Sequence, residues 1–140
     1  MQLSRNRAAA MNILIILLAA LAAFLVGGLW YGPVFGKAWI RLIGKAADGL
    51  PAGNMLKIYG LAFLFALLQA TMLAHMFDRL GDPPFHIVMM ISCGLALGFV
   101  IPAIGTNYLF RREPGKLFFI DAGYWLAFYA AMGLVFALLG

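Results

Sequence analysis

The sequence predicts an all-α fold. It is that of a polytopic integral membrane protein with four transmembrane helices in a bundle and a short interfacial amphipathic helix after the first. Three observations predict it. Of 140 residues, 65% are hydrophobic and only 11% are charged, whereas a soluble domain is about 45–50% apolar and about 25% charged. Four apolar stretches, at residues 8–31, 58–77, 85–110 and 117–139, each reach roughly the 20 residues needed to cross about 30 Å of hydrocarbon as a helix. Backbone polar groups find no water in that layer, so each crossing must satisfy them internally as an α-helix. The lipid bilayer is therefore the implied solvent and first partner, and residues 1–140 are expected to form a single four-helix domain.

The first stretch follows Arg5 and Arg7, a pattern shared with signal peptides, and Ala20-Leu21-Ala22 offers small residues of the kind a peptidase cuts. The apolar run continues well past them to Trp30 and Tyr31, which reads as a membrane span ending in an interfacial aromatic pair. Gly27 to Arg41 is then the place where the chain leaves the bilayer. Phe35, Trp39, Leu42 and Ile43 recur at helical spacing, and Lys37, Arg41 and Lys45 at intervals of four. This predicts an amphipathic helix over 34–46 with aromatics towards the acyl chains and cations towards headgroups. Residues 46–54, with Asp48-Gly49 and Pro51, read as a loop.

The second and third spans are joined by Asp78-Arg79-Leu80-Gly81-Asp82-Pro83-Pro84, and the third and fourth by Arg111-Arg112-Glu113-Pro114-Gly115-Lys116. Both are helix stops short enough to make their neighbours antiparallel. Pro102 is expected to kink the third span or to free a carbonyl in it. One face of the membrane collects seven basic residues, Lys37, Arg41, Lys45, Lys57, Arg111, Arg112 and Lys116, and the other only three, Arg5, Arg7 and Arg79. Basic connections stay in the cytoplasm, which predicts both termini outside, although Arg5 and Arg7 immediately before the first span argue the other way.

In lipid, small residues mark helix-packing seams. Gly28, Gly32 and Gly36 repeat every four residues, beside a neighbouring stripe of Ala19, Ala23 and Gly27; Gly94 and Gly98 form a second seam, and Gly123, Ala127 and Ala131 a third. These seams suit packing within the bundle or self-association, and a homo-oligomer is expected. Gly28-Leu29-Trp30-Tyr31 is also echoed by Gly105-Thr106-Asn107-Tyr108, at the same end of another odd-numbered span, as a parallel repeat would give.

Polar residues inside the membrane are costly and mark sites. Asp121 is the sharpest of these. Tyr124 and Trp125 share its helix face, and Asn107, Tyr108, Lys37 and Arg111 are all near enough in the predicted topology to meet it. Trp30, Tyr31 and Trp39 complete a polar and aromatic cluster, suited to a small solute or a lipid headgroup. Gln69 and Thr71 sit in the middle of the second span, where interhelical hydrogen bonding is the ordinary role. His75, Asp78, Asp82 and His86 surround one turn but match no metal-binding spacing. The single cysteine, Cys93, forms no internal disulfide. No Gly-rich phosphate loop, no His-Glu-x-x-His and no nucleophile elbow is present, and the first helix lacks the early glutamate of a small multidrug transporter. No catalytic residue, metal site or cofactor is assigned, and the basic residues set topology rather than bind nucleic acid. Three readings stay open. The first is a self-packing membrane protein with a polar cluster at its cytoplasmic interface. The second is a homo-oligomeric small transporter or channel, which needs Gln69, Thr71, Asn107 and Asp121 on one path. The third is a lipid-directed membrane enzyme, which needs a cavity holding Asp121, Tyr124 and a cation.

Two stretches carry a family resemblance. Gly28-Leu29-Trp30-Tyr31-Gly32-Pro33-Val34-Phe35-Gly36-Lys37-Ala38-Trp39 resembles the N-terminal signature of a bacterial membrane protein family, the domain of unknown function numbered 1761. Lys116-Leu117-Phe118-Phe119-Ile120-Asp121-Ala122-Gly123-Tyr124-Trp125 is similar to that family's C-terminal K-L-F-x-I-N-x-G-Y-W. The resemblance spans nearly the whole chain. It implies four helices in a bacterial cell membrane and no established activity. It also implies Asn where Asp121 stands, a position that a hydrogen-bonding role suits better than proton transfer.

Overall fold

A computed structural model describes residues 2–43, 52–81 and 83–140, with side chains over 12–42, 56–81 and 83–140. Lys45 and the end of the expected amphipathic segment, residues 46–51 of the expected loop, the side chains of Arg5 and Arg7, and Asp82 lie outside the described residues. The described chain is helical throughout, without strands. Four helices are long and apolar enough to cross a membrane, Asn12–Val34, Leu56–Leu80, Phe85–Arg111 and Gly115–Leu139. Leucines, isoleucines and phenylalanines crowd the outer surface, as a lipid solvent requires.

The first span is α1 (Gln2–Leu29) continued by a single π-helical turn, Trp30–Val34. Pro33 has no N–H to return to the carbonyl of Leu29, so the turn widens, and the Phe35 amide reaches back five residues to the Trp30 carbonyl at 2.8 Å. The chain then bends into α2 (Gly36–Ile43). Only glycine fits at the bend, because a Cβ on Gly36 would stand 2.6 Å from the Tyr31 carbonyl oxygen. Lys37 and Arg41 are exposed on α2, while Trp39 and Leu42 are half-buried, the two-faced pattern the spacing predicts.

The second span belongs to α3 (Ala52–Leu80), which ends at Gly81 in the left-handed conformation (φ 68°). It runs beyond the apolar core of 58–77 at both ends: Asp78 and Arg79 continue the helix into the interface, and residues 52–54, expected to be loop, already form its first turn. The third span is a rod of α4 (Phe85–Leu95), a second π turn (Ala96–Val100) and α5 (Ile101–Arg111). Pro102 is expected to disturb the helix, and the disturbance falls just upstream. Pro102 cannot donate to Gly98, and the widened turn at 96–100 absorbs the missing bond. Helix α5 closes through Arg112 in the left-handed region (φ 56°), with the Glu113 amide donating to the Tyr108 carbonyl at 3.0 Å. This is the hydrogen-bond pattern by which helices commonly end, with arginine in the place glycine usually takes. The last span is α6 (Gly115–Leu139).

α6 is the hub. It packs on α1, α2, α4 and α5, touches α3 through Phe77 against Phe136 (centroids 5.5 Å apart), and is the most buried span. α1 in turn packs on α3, with Phe24 wedged edge-on against Phe63 at 5.6 Å. Ala19, Ala20 and Ala23 are fully buried in these seams, letting backbones approach closely. On the other side of α6, Ser92 is fully buried over Gly133, where a Cβ would lie 2.7 Å from the Ser92 Oγ. That hydroxyl has no hydrogen-bond partner; the side chain is there because it is small.

The two small-residue stripes of the first span have different surroundings. Ala19, Ala23 and Gly27 pack within the chain, whereas Gly28 and Gly32 do not. A Cβ on Gly28, Gly32, Gly94 or Gly98 would meet nothing within 4 Å in the chain. Adjacent residues on a helix are about 100° apart, so two neighbouring stripes cannot both face the same partner.

Replacing Gly133 by Val should lower stability by roughly 1–3 kcal/mol, the usual cost of overpacking a tight contact, whereas Gly94→Ala should change it by less than about 0.5 kcal/mol. Denaturant titration of the purified protein in bicelles reads both.

Candidate functional site

Asp121 stands two turns into α6 and is only 8% exposed. Its carboxylate is held from two other spans. The Tyr31 hydroxyl, from the π turn ending the first span, donates to Oδ1, and the Tyr108 hydroxyl, from α5, donates to Oδ2. A buried carboxylate is tolerable only when its oxygens are satisfied, and here one phenol serves each. The echo between the ends of the two odd-numbered spans aligns these same tyrosines.

A second bond reinforces the first. The Trp30 indole Nε1 donates to the Ile120 carbonyl at 2.9 Å. Its ring presses so close to α6 that a Cβ on Gly123 would lie 2.7 Å from Trp30 Cζ2. Around this core the rings interlock: Phe35 on Trp30 at 4.8 Å, Trp39 edge-on to Tyr31 at 5.3 Å, and Tyr124 edge-on to Tyr31 at 5.0 Å. Gly27 makes room for the Tyr124 ring, whose Cε2 would be 3.2 Å from a Cβ there.

Of the nine candidate binding residues, then, Tyr31, Tyr108 and Asp121 are joined by hydrogen bonds. Trp30, Trp39 and Tyr124 are packed onto them. Trp125 sits at the edge, against Tyr124 at 4.9 Å and Phe128 at 5.0 Å. Lys37 and Asn107 are exposed and make no bond to the cluster. Arg111 faces elsewhere, paired with Glu113 at 3.5 Å, the only ion pair among the described residues. Of the six predicted seam glycines, Gly123 alone packs against another helix of this chain. Trp30 on Ile120, Gly27 under Tyr124 and Gly105 against Phe118 had no distinctive sequence signal beyond small residues near aromatics.

The arrangement spends its polar atoms on itself. Both Asp121 oxygens are occupied and no cation stands on them, so the cluster works as a three-span tie. Beside it, α5 and the start of α6 leave a half-open groove of about 350 Å³ lined by Pro102, Thr106, Tyr108, Glu113 and Phe118 among others. At the opposite end of the bundle all four spans border a cavity of about 470 Å³ with Asn12, Thr71, His75 and Asp78 on its walls. Neither holds Asp121, Tyr124 and a cation together, as a lipid-directed enzyme would need. Nor do the residues of the transport reading share a path within one chain. The Gln69 side chain meets the Tyr129 hydroxyl at 2.7 Å, Thr71 donates to its own helix at Leu67 (2.7 Å), Asn107 is exposed and Asp121 is in the tie. Among the described residues no three His, Cys, Asp or Glu side chains converge as metal ligands.

Removing either phenol strands a carboxylate oxygen. Tyr31→Phe and Tyr108→Phe should each lower stability by about 1–3 kcal/mol. Asp121→Asn should stay within about 1 kcal/mol of the parent, since an amide accepts from one tyrosine and donates to the other. Asp121→Ala should be the most damaging, leaving two hydroxyls unpaired. Unfolding transitions in bicelles check the order, and an Asn variant as unstable as the Ala variant would refute the tie.

No curated protein and no solved structure matches the chain. Residues 14–137 match the family described as "Protein of unknown function (DUF1761)". The match covers most of the sequence and both stretches that build the tie, and the chain belongs to that family.

Proposed function

We propose that this protein is a self-associating membrane protein of a bacterial inner membrane. The tie around Asp121 fixes the fold at the cytoplasmic interface, and open glycine faces receive a second copy. One observation supports the association. Gly28 and Gly32 on the first span, and Gly94 and Gly98 on the third, are exposed with open space beside them. Small residues facing lipid forfeit contact area, whereas against another helix they permit close backbone approach. The orientation rests on charge. The end carrying the tie also carries Lys37, Arg41, Arg111, Arg112 and Lys116, which supports a cytoplasmic side for it and an outer side for the termini. The role of the tie in this reading is to hold the first and third spans at a set angle on α6.

With Cys93 replaced by Ala, single cysteines at Gly32 and Gly98 should form disulfide-linked dimers in membranes on mild oxidation. Gly32→Trp and Gly98→Trp should weaken association by roughly tenfold or more, about 1.4 kcal/mol. A monomeric mass in lipid nanodiscs at every protein-to-lipid ratio would overturn the proposal.

A further inference from the structure

The groove between α5 and α6 changes in chemistry along its length. Its membrane-depth wall is apolar, formed by Pro102, Leu109 and Phe118. The polar groups on that wall are already used. The Thr106 hydroxyl donates to the Pro102 carbonyl at 3.0 Å, and the Tyr108 hydroxyl is committed to Asp121. Helix α5, along which the groove lies, is roughly 16 Å long at about 1.5 Å per residue, close to half of a hydrocarbon core about 30 Å thick. One acyl chain of one leaflet has that reach.

Glu113 and Gly115 line the end of the groove, and cations flank them in sequence. The turn that closes α5 carries Arg111, Arg112 and Lys116 against Glu113 alone. Arg111 and Glu113 pair with each other at 3.5 Å. Arg112 and Lys116 are exposed, and neither makes an ion pair among the described residues. Arg112 occupies the left-handed position of the turn (φ 56°), where glycine is the usual choice; a side chain with a guanidinium stands there instead. An apolar channel about one leaflet long has the shape of an acyl chain, and Arg112 and Lys116, next in sequence to the lining residues Glu113 and Gly115 and without an ion pair among the described residues, flank the end where a phosphodiester would sit.

We propose that this groove is a specific site for one anionic phospholipid. Its acyl chain lies along Pro102, Leu109 and Phe118, and its phosphate is met by Arg112 and Lys116. The bound chain covers the open side of Tyr108, so the lipid shields the hydroxyl–carboxylate contact on which the tie depends.

Native mass spectrometry of the full chain, released from detergent micelles containing phosphatidylglycerol or phosphatidylcholine, tests this. The unsubstituted protein should retain one phosphatidylglycerol with roughly tenfold or greater preference over phosphatidylcholine, the scale expected of two cations near a phosphate. Thr106→Trp, which fills the groove from an exposed position, should abolish retention of both lipids. Arg112→Gln combined with Lys116→Gln should reduce phosphatidylglycerol binding to the phosphatidylcholine level while leaving that level unchanged. Equal retention of the two lipids by the parent protein, meaning annular lipid only, would overturn the proposal, as would unchanged retention in Thr106→Trp. Displacement of the lipid by excess glycerol phosphate would overturn the acyl-chain half. Circular dichroism and the thermal transition confirm that each variant is folded. If Thr106→Trp fails that check, Leu109→Trp fills the same groove, and the charge pair tests the headgroup half by itself. The same spectra give the number of chains per particle, so loss of lipid is separable from loss of self-association.

Discussion

A carboxylate removed from water in the middle of a helix bundle sets the terms for everything around it. Asp121 has no cation beside it among the described residues, so hydrogen bonds must hold it, and the donors come from helices far apart in sequence. That requirement fixes where the first span ends, how deep α5 sits and which face α6 turns inward. The indole of Trp30, resting on Gly123 and bonded to Ile120, then locks the rotation that the phenols define. Because the bilayer supplies no hydrophobic drive between helices, these few directional contacts and close small-residue seams carry the specificity that an apolar core provides in a soluble protein.

The two ends of the bundle are built differently. At the end of the tie, aromatic rings interlock and the space between α1 and α6 is filled. At the other end the four spans part around a roomy cavity with His75 and Asp78 on its wall. Between them the seams are mainly apolar, interrupted by the Gln69–Tyr129 bond and by the buried hydroxyl of Ser92. Rigidity is therefore concentrated at one membrane face. The groove at Tyr108 belongs to that rigid face, so whatever fills it sits against a preformed wall.

Much of this was legible in the residues. Four long apolar runs, stop signals at Gly81 and Pro114, and the alternation of cations and aromatics after Gly36 follow from physics that acts locally, and the four spans fall on those runs, although α3 begins at Ala52, inside the stretch the residues mark as a loop. Asp121 stood out because a carboxylate in such a run needs an explanation, and Tyr108 was within reach of it. What the residues did not reveal was rotation. Gly28 and Gly27 are neighbours of the same size, and only the helix partner decides which one is buried. Tyr31 reads as an interfacial aromatic, and nothing local says that its hydroxyl turns inward. Lys37 and Arg111 were equally near Asp121 in sequence-derived topology; phenols won because they deliver a donor without bringing a second charge into the hydrocarbon.

The π turn at Trp30–Val34 has a consequence of another kind. A widened turn holds one residue more than an α-helical turn, and each added residue rotates the chain beyond it by about 100°. The direction in which α2 leaves the membrane, with Trp39 against Tyr31 and Lys37 outward, is thus indexed to the number of residues in that turn as much as to their identity. Such a segment should drift in composition yet keep its length. Losing a single residue there would swing the cationic side of α2 towards the hydrocarbon while leaving every side chain in the span chemically intact.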